Sequence, residues 1–471
     1  MPAPTEAMSS VDLAWLRMDR PTNPMTIVTV LILSQPVKTQ AVRDVVAQRL
    51  LIFPRFKQYP SSDTISGFWL TDPHFDLQRH VRSLILPQRA SAKDLHAAAS
   101  DLASTQLDPR RPMWEMHVIE RYRRGSALIA RFHHCYADGV AMLRVLLSLT
   151  DPGGATERAI DVQPHRVHDD SAALPVSSIS LDRLVPVIDE AVGMAKHIVS
   201  SLGDLATTSL QALGHPLSTV QKATAAGLEI ARLATLSDDR STALKQNLSA
   251  RKELAWTASL PFSEVRAIAK AHAYTINDVL LSTVAGALGA WLREHQHRTE
   301  GIIIRGLIPV NLRRSDDAAE LGNRFGLVFA NLHVGERDPI ARLEATHRDM
   351  EALKSSAEPI VSYALLATMG SLLESVETQA IELFTRKASL VVSNVPGPPQ
   401  ALHICGARID ELYFWVPQAG SIGLGLSLLT YNGHVQFGVM ADRELIAAPH
   451  RLTELFEQQF EQLVLSTLMR L

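Results

Sequence analysis

Phe132-His133-His134-Cys135-Tyr136-Ala137-Asp138-Gly139 is the stretch on which the reading of this chain turns. An apolar run enters it. Two histidines follow in succession, and an acid and a glycine stand where a helical pattern begins. Successive side chains of a strand point to opposite faces, so one histidine can face a crevice while the other packs into the core. His133 is the candidate for packing and His134 for the crevice. An imidazole with an ordinary pKa of about 6.5 accepts a proton from a hydroxyl at neutral pH. Asp138 has the residue type and place of a helix N-cap, and Gly139 permits a tight turn before the helix. The same alternation prevents His133 and His134 from chelating one metal, and no other ligand spacing suggests zinc. Cys135 points away from the face that His134 uses, which argues against a nucleophilic thiol.

Outward from this segment, the pattern alternates between strands and helices. On the N-terminal side, β-branched and apolar residues predict a buried strand over 26–34 and helical spacing predicts a helix over 40–52. Strands are expected over 114–122 and 126–132 around an Arg123-Arg124-Gly125 turn, followed by a helix over 139–149. The C-terminal part repeats the mixture, with helices over 261–273, 275–294 and 338–355. Strands are expected over 302–309, 325–334 and 389–394, the last stopped by Pro396-Gly397-Pro398-Pro399. Asn432-Gly433, between strands over 423–431 and 434–440, is the strongest hairpin signal in the chain. An amphipathic helix over 449–471 closes it. Between Tyr136 and Trp256 there is no Phe, Tyr or Trp; large aromatics dominate cores, so this stretch reads as a helical connector, 181–236, broken at His215-Pro216. The expected architecture is two α/β parts, 1–155 and 251–471, joined by a connector at 156–250.

Composition narrows the function classes. The chain has 471 residues, 46% of them hydrophobic and 20% charged, ample for a packed core and unlike a disordered chain. A net charge of −3 disfavours a binder driven by nucleic-acid phosphates. Two cysteines, Cys135 and Cys405, form no disulfide framework. The opening Met1-Pro2-Ala3-Pro4-Thr5-Glu6 lacks the pattern of a secretory leader. The longest uncharged run, 412–434, is broken by Pro417, Gly420, Gly423 and Gly425, and reads as strands rather than a membrane span. Neither a phosphate-binding Gly-rich loop nor a Gly-x-Ser-x-Gly elbow occurs.

His133-His134-x-x-x-Asp138-Gly139 resembles the signature of the bacterial wax ester synthase/diacylglycerol acyltransferase family, within the coenzyme A-dependent acyltransferase superfamily. Further segments are similar to that family in the same order: Met8-Ser9-Ser10-Val11-Asp12-Leu13-Ala14-Trp15-Leu16, Asn23-Pro24-Met25, Pro112-Met113-Trp114 (Met where the family has Leu), Asn277-Asp278-Val279-Leu280 and Ser393-Asn394-Val395-Pro396-Gly397-Pro398. The resemblance implies two tandem chloramphenicol acetyltransferase-like α/β domains with a substrate tunnel between them and His134 at its middle. It implies transfer of a long-chain acyl group from acyl-CoA, a co-substrate, to diacylglycerol or a long-chain alcohol, with no acyl-enzyme, metal or further cofactor. Trp114, Asn277 and Asp278 become candidate substrate contacts; for Trp114 a plain core position, and for Asn277 a helix N-cap, remain equally open. Asp138 is expected to pair with an arginine, Arg313 or else Arg314. Water-insoluble acceptors imply a cytoplasmic enzyme bound peripherally to the inner membrane or to lipid inclusions. Two contacts are candidates: the connector, with Lys196, His197, Lys222 and Arg232, and the terminal helix, with Leu455, Phe456, Phe460 and Leu463. Two other readings stay open, an acyltransferase for a polyketide or small hydroxylated acceptor, and a catalytically silent lipid-binding protein of the same fold.

Overall fold

A computed structural model describes residues 6–63, 66–151, 232–233, 236–257, 259–312, 322–354, 356, 358–369 and 374–470. Most of the expected connector, and Arg313 with Arg314, lie outside the described residues.

The strand Thr26–Leu33 is buried at all eight positions. Its β-branched and apolar side chains have two cores to fill, one on each face. Ile27, Leu31 and Leu33 enter a cluster with Trp15, Trp114 and Phe132. Val28, Val30 and Ile32 enter another with Leu95, Tyr413 and Trp415. Each such side chain contributes about 1.5–3 kcal/mol when fully buried. The strand lies inside a six-stranded sheet, with Gly125–His133 antiparallel on one side and Ala407–Trp415 antiparallel on the other. Gly125–His133 pairs in turn with Trp114–Tyr122. Their hairpin turns at Arg123 and Arg124, with Arg123 left-handed at φ 52°. Gly125 already belongs to the strand, where a Cβ would lie 1.9 Å from the Leu33 carbonyl oxygen.

Ala407–Trp415 crosses the boundary drawn from sequence. It lies within 251–471, yet its backbone completes the N-terminal sheet, with Trp415 opposite Val28. The C-terminal sheet runs Phe325–Leu332, Ile304–Asn311, Leu390–Pro396, Leu424–Tyr431, His434–Asp442 and Lys252–Trp256. Asn432 and Gly433 turn the expected hairpin with φ of 49° and 74°. Leu390–Pro396 pairs through Pro396 itself, so the strand ends later than the proline cluster suggested. The long helix Ile276–Glu294 packs against this sheet together with the terminal helix His450–Leu468. A buried cross-tie joins the two parts: Lys252 Nζ donates to Asn23 Oδ1 at 2.6 Å, while Asn23 Nδ2 donates to the carbonyls of Gly420 and Ile422.

The edge strand Phe325–Leu332 is covered by the helix Glu358–Met369. Ser362 Oγ and Glu358 Oε1 accept the outward N–H groups of Leu327 and Phe329, each at 2.6 Å. Side chains thereby satisfy donors that would otherwise template another chain. The approach is so close that a Cβ on Gly326 would lie 1.8 Å from the Pro359 carbonyl oxygen. Gly326→Ala therefore forces backbone apart and should cost about 1–3 kcal/mol or more. A clear drop in melting temperature by calorimetry is expected, and an unchanged one would contradict this packing.

Candidate active site

His134 stands just beyond the end of Gly125–His133, and its backbone is held from separate parts of the chain. Its N–H donates to the Met25 carbonyl at 2.7 Å, and its carbonyl accepts from Asn323 Nδ2 at 2.9 Å. Its ring stacks on Trp15, with centroids 4.1 Å apart, and Phe325 stands 5.8 Å away. Trp15 comes from the opening helix Ser10–Arg17, Met25 from the loop before Thr26–Leu33, and Phe325 from the C-terminal sheet. His134 therefore sits at the seam of the two halves. Burial disfavours the imidazolium and lowers its pKa to about 4, although the Asp138 carboxylate, its own carbonyl and the Asn323 side chain pull the other way. At neutral pH the ring is uncharged and retains a basic nitrogen.

His133 is fully buried, as its packing role required. Its N–H donates to the Met113 carbonyl at 2.9 Å, and its Nδ1 accepts from the Cys135 N–H at 3.2 Å. Burial, with His134 adding to it, lowers its pKa to about 3. Cys135 is equally enclosed, and burial raises its thiol well above the ordinary range, which keeps it protonated. Tyr136 fastens the next residue of the loop: its hydroxyl donates to the Gln58 carbonyl and accepts the Met113 N–H.

Asp138 is the N-cap of the helix Gly139–Ser148, accepting from the Ala141 N–H at 2.9 Å. Its second oxygen accepts the Arg324 N–H at 3.0 Å. Its own N–H reaches the Gly322 carbonyl at 3.3 Å, beside a parallel bridge between Ala137 and Gly322. Gly322 has a φ of 106°, a conformation that only glycine adopts readily. Asp138 thus joins the histidine loop to the C-terminal half through backbone groups, and the expected partner Arg313 lies outside the described residues. Gly139 is at the first helical position and is not among the residues with left-handed backbone. The tight turn expected of it is not what the site requires. A Cβ there would meet nothing within 4 Å.

The remaining candidates make their side-chain hydrogen bonds to partners other than His134. Trp114 is completely buried, its indole N–H donating to the Phe56 carbonyl at 2.8 Å and its ring stacked on His80. It is a core aromatic, the plainer of its two readings. Thr275, not Asn277, caps Ile276–Glu294, in a capping box with Asp278. Asp278 is fully buried, accepting from the Thr275 N–H and from His347 Nδ1 at 2.8 Å, contacts that hold the start of the helix. Asn277 is half-buried and accepts from Asn394 Nδ2 at 3.0 Å, joining two of the segments that carried the resemblance. Asn323 was not singled out from the sequence. A Gly-Asn pair ahead of an apolar strand reads as an ordinary turn. Among the described residues no group of three or more His, Cys, Asp or Glu is placed to hold a metal.

Family models match both parts of the chain. Residues 8–280 match the wax ester synthase/diacylglycerol acyltransferase catalytic domain, and residues 321–464 match the C-terminal domain of the same family. The chain belongs to the wax ester synthase/diacylglycerol acyltransferase family. It is an acyltransferase. A probable diacylglycerol O-acyltransferase of Mycobacterium tuberculosis is 26% identical over 432 residues, covering 89% of this chain and 86% of that protein. In structure the chain is similar to a wax ester synthase/diacylglycerol acyltransferase from Marinobacter aquaeolei VT8, with a TM-score of 0.67 at 22% identity, covering 99% of this chain and 100% of that one. A trichothecene 15-O-acetyltransferase from Fusarium sporotrichioides has a TM-score of 0.58 at 13% identity, covering 98% and 95%. The two-part α/β fold expected from the motifs is the fold of this family.

Two outcomes follow from the site. Asp138→Ala removes a helix cap and leaves the Arg324 N–H without that acceptor. A cap alone is worth about 0.5–2 kcal/mol, so the melting temperature should fall, and activity with it as the loop loosens. Unchanged values in both assays would remove Asp138 from this role. The second concerns pH. His96, His133 and His134 have pKa values lowered by burial to about 4, 3 and 4. The unfolded chain binds these protons near pH 6.5 and the folded one does not. Stability is therefore present above that pH and is lost as pH falls from about 6.5 toward 4. Melting temperatures across that window should decline, and a flat profile would contradict the burial of these rings.

Proposed function

We propose that the enzyme transfers a long-chain acyl group from acyl-CoA to diacylglycerol or a long-chain alcohol, with His134 as general base and no covalent acyl-enzyme. The observation that carries this reading is an uncharged imidazole at the seam of the two halves, backed by a stacked indole. His134 accepts the hydroxyl proton of the acceptor as its oxygen attacks the thioester carbonyl. The tetrahedral oxyanion collapses, and the departing CoA thiolate takes the proton back from the imidazolium. Acceptor acylation, CoA-SH release and regeneration of the base then balance. Direct transfer is supported by Cys135, whose thiol is held protonated by burial. Acyl-CoA is a co-substrate, and no further cofactor enters. The two substrates reach His134 from opposite sides through a tunnel between the halves.

The acceptors named here do not dissolve in water, which supports peripheral contact with a membrane or lipid inclusion in the cytoplasm. Among the described residues no single helix is long and apolar enough to cross a membrane. Of the two surfaces considered, the terminal helix needs correction: Leu455, Phe456, Phe460 and Leu463 are buried in the C-terminal core. The exposed apolar residues of that end are Leu465, Leu468 and Met469. The connector surface lies almost wholly outside the described residues.

His134→Ala should lower acyl transfer about 10²–10⁴-fold or more. The assay is thiol release from palmitoyl-CoA with hexadecanol or dioleoylglycerol. Folding is checked by melting temperature. Near wild-type turnover in the folded variant would refute the mechanism, and release only with small soluble acceptors would favour the alternative substrate class.

A further inference from the structure

We propose that Asn323, anchored by Asp12, is the positioning residue of the general base: its amide oxygen fixes the His134 ring as the Nδ1–H tautomer and leaves Nε2 as the basic atom. The proposal rests on the reading of His134 as general base and adds the group that orients it.

Asn323 Nδ2 donates to Asp12 Oδ1 at 2.8 Å and to the His134 carbonyl at 2.9 Å. Both of its hydrogens are thereby used. A backbone carbonyl only accepts, and so does an ionised carboxylate. The NH₂ end must face these two groups, and the amide cannot be turned round without leaving an acceptor–acceptor clash. Asn323 Oδ1 is consequently aimed elsewhere. It is sealed from solvent and has no hydrogen-bonded partner among the described residues. His134 Nδ1 is sealed as well and makes no well-aligned hydrogen bond; the acceptors that favour its proton are its own carbonyl and the Asn323 side chain. Two buried polar atoms, on residues already tied by a hydrogen bond, thus lack a well-aligned partner. An oxygen is satisfied only by a ring nitrogen that carries hydrogen. A hydrogen bond from Nδ1–H to Oδ1 would satisfy both. The Asn323 side chain already favours the protonated ring.

Asp12 contributes through its place on the opening helix. Ser9 caps that helix, with the Asp12 N–H donating to Ser9 Oγ at 3.1 Å. Trp15, one turn further, supplies the indole stacked on His134. One short helix therefore holds both the anchor of Asn323 and a wall against the ring. The charged and titratable groups around His134 are Asp138 on the following helix, Asp12, neighbouring His133 and Cys135, Asp19 beside His133, and Arg55, whose charge reaches Asp12. Burial raises the Asp12 pKa against the hydrogen bonds and Arg55 charge that lower it.

The test uses the full-length enzyme with ¹⁵N-labelled histidine. The His134 resonances are identified by their absence in His134→Ala. The expected wild-type spectrum at pH 7 shows His134 protonated at Nδ1, and Asn323→Ala shows a tautomer mixture. Steady-state thiol release should show kcat falling about 10–100-fold in Asn323→Ala, the range typical of lost orienting partners, with KM for acyl-CoA changed less than about threefold. Asn323→Asp places a carboxylate beside the ring and should move the acid limb of kcat/KM to higher pH. Asp12→Asn, which releases the constraint on the amide, gives a smaller loss of kcat and serves if Asn323→Ala does not fold. A wild-type ring protonated at Nε2 overturns the proposal. So does an Asn323→Ala or Asp12→Asn enzyme that melts earlier but keeps wild-type kcat and acid limb, because that is the signature of packing alone. If His134→Ala retains turnover while the tautomer shifts as expected, the general-base reading fails and the positioning by Asn323 stands.

Discussion

Everything at the site depends on keeping a short loop of backbone in one place although neither sheet holds it alone. The N–H of His134 is bound by Met25, its carbonyl by Asn323, and the N–H of His133 by Met113. These partners precede the first strand of the N-terminal sheet, lie ahead of the C-terminal edge strand, and open the hairpin that leads to the histidines. Buried backbone groups must be paired, so the three bonds are obligatory rather than decorative. They convert the meeting of two α/β layers into a fixed position for one imidazole.

That burial has an electrostatic counterpart. Enclosure drives the imidazole toward its neutral form, and the same enclosure holds the neighbouring thiol protonated. One physical cause therefore leaves the His134 ring without its second proton and the Cys135 thiol with its own, although they are adjacent in sequence. The seam also has no clean division of apolar contacts. Trp15, Ala137 and Met142 share a single cluster with Phe325, Leu366 and Val395. The proposed base thus stands where two cores have merged.

The sequence made the local structure legible wherever one periodicity dominated. The buried strand at 26–33, the Asn432-Gly433 hairpin and the helix beginning at Gly139 all follow from short-range pattern and turn chemistry. Alternation did not separate His133 from His134, because the strand ends at His133 and both side chains are buried. Long-range facts were not accessible in this way. Nothing local marks Ala407–Trp415 as a strand of the other sheet, since its apolar content fits either. Nor does the amphipathic pattern of His450–Leu468 say whether its apolar stripe meets lipid or protein; it meets the C-terminal core. Asp138 illustrates the same limit at the site. Its capping role is local and was visible, while its bond to the Arg324 N–H depends on a segment far along the chain. Asn323 was overlooked because both of its side-chain hydrogen bonds are made to residues distant in sequence.

The strand Ala407–Trp415 has a consequence for how the protein comes into being. Thr26–Leu33 needs it as a neighbour on one side, and that neighbour emerges from the ribosome near the end of synthesis. Until then the N-terminal layer carries an uncovered, largely apolar strand with free backbone donors, the kind of edge that recruits other chains. The protein cannot mature as two domains in succession. Its first half must be shielded, or remain incompletely ordered, until the last quarter of the chain arrives to close it.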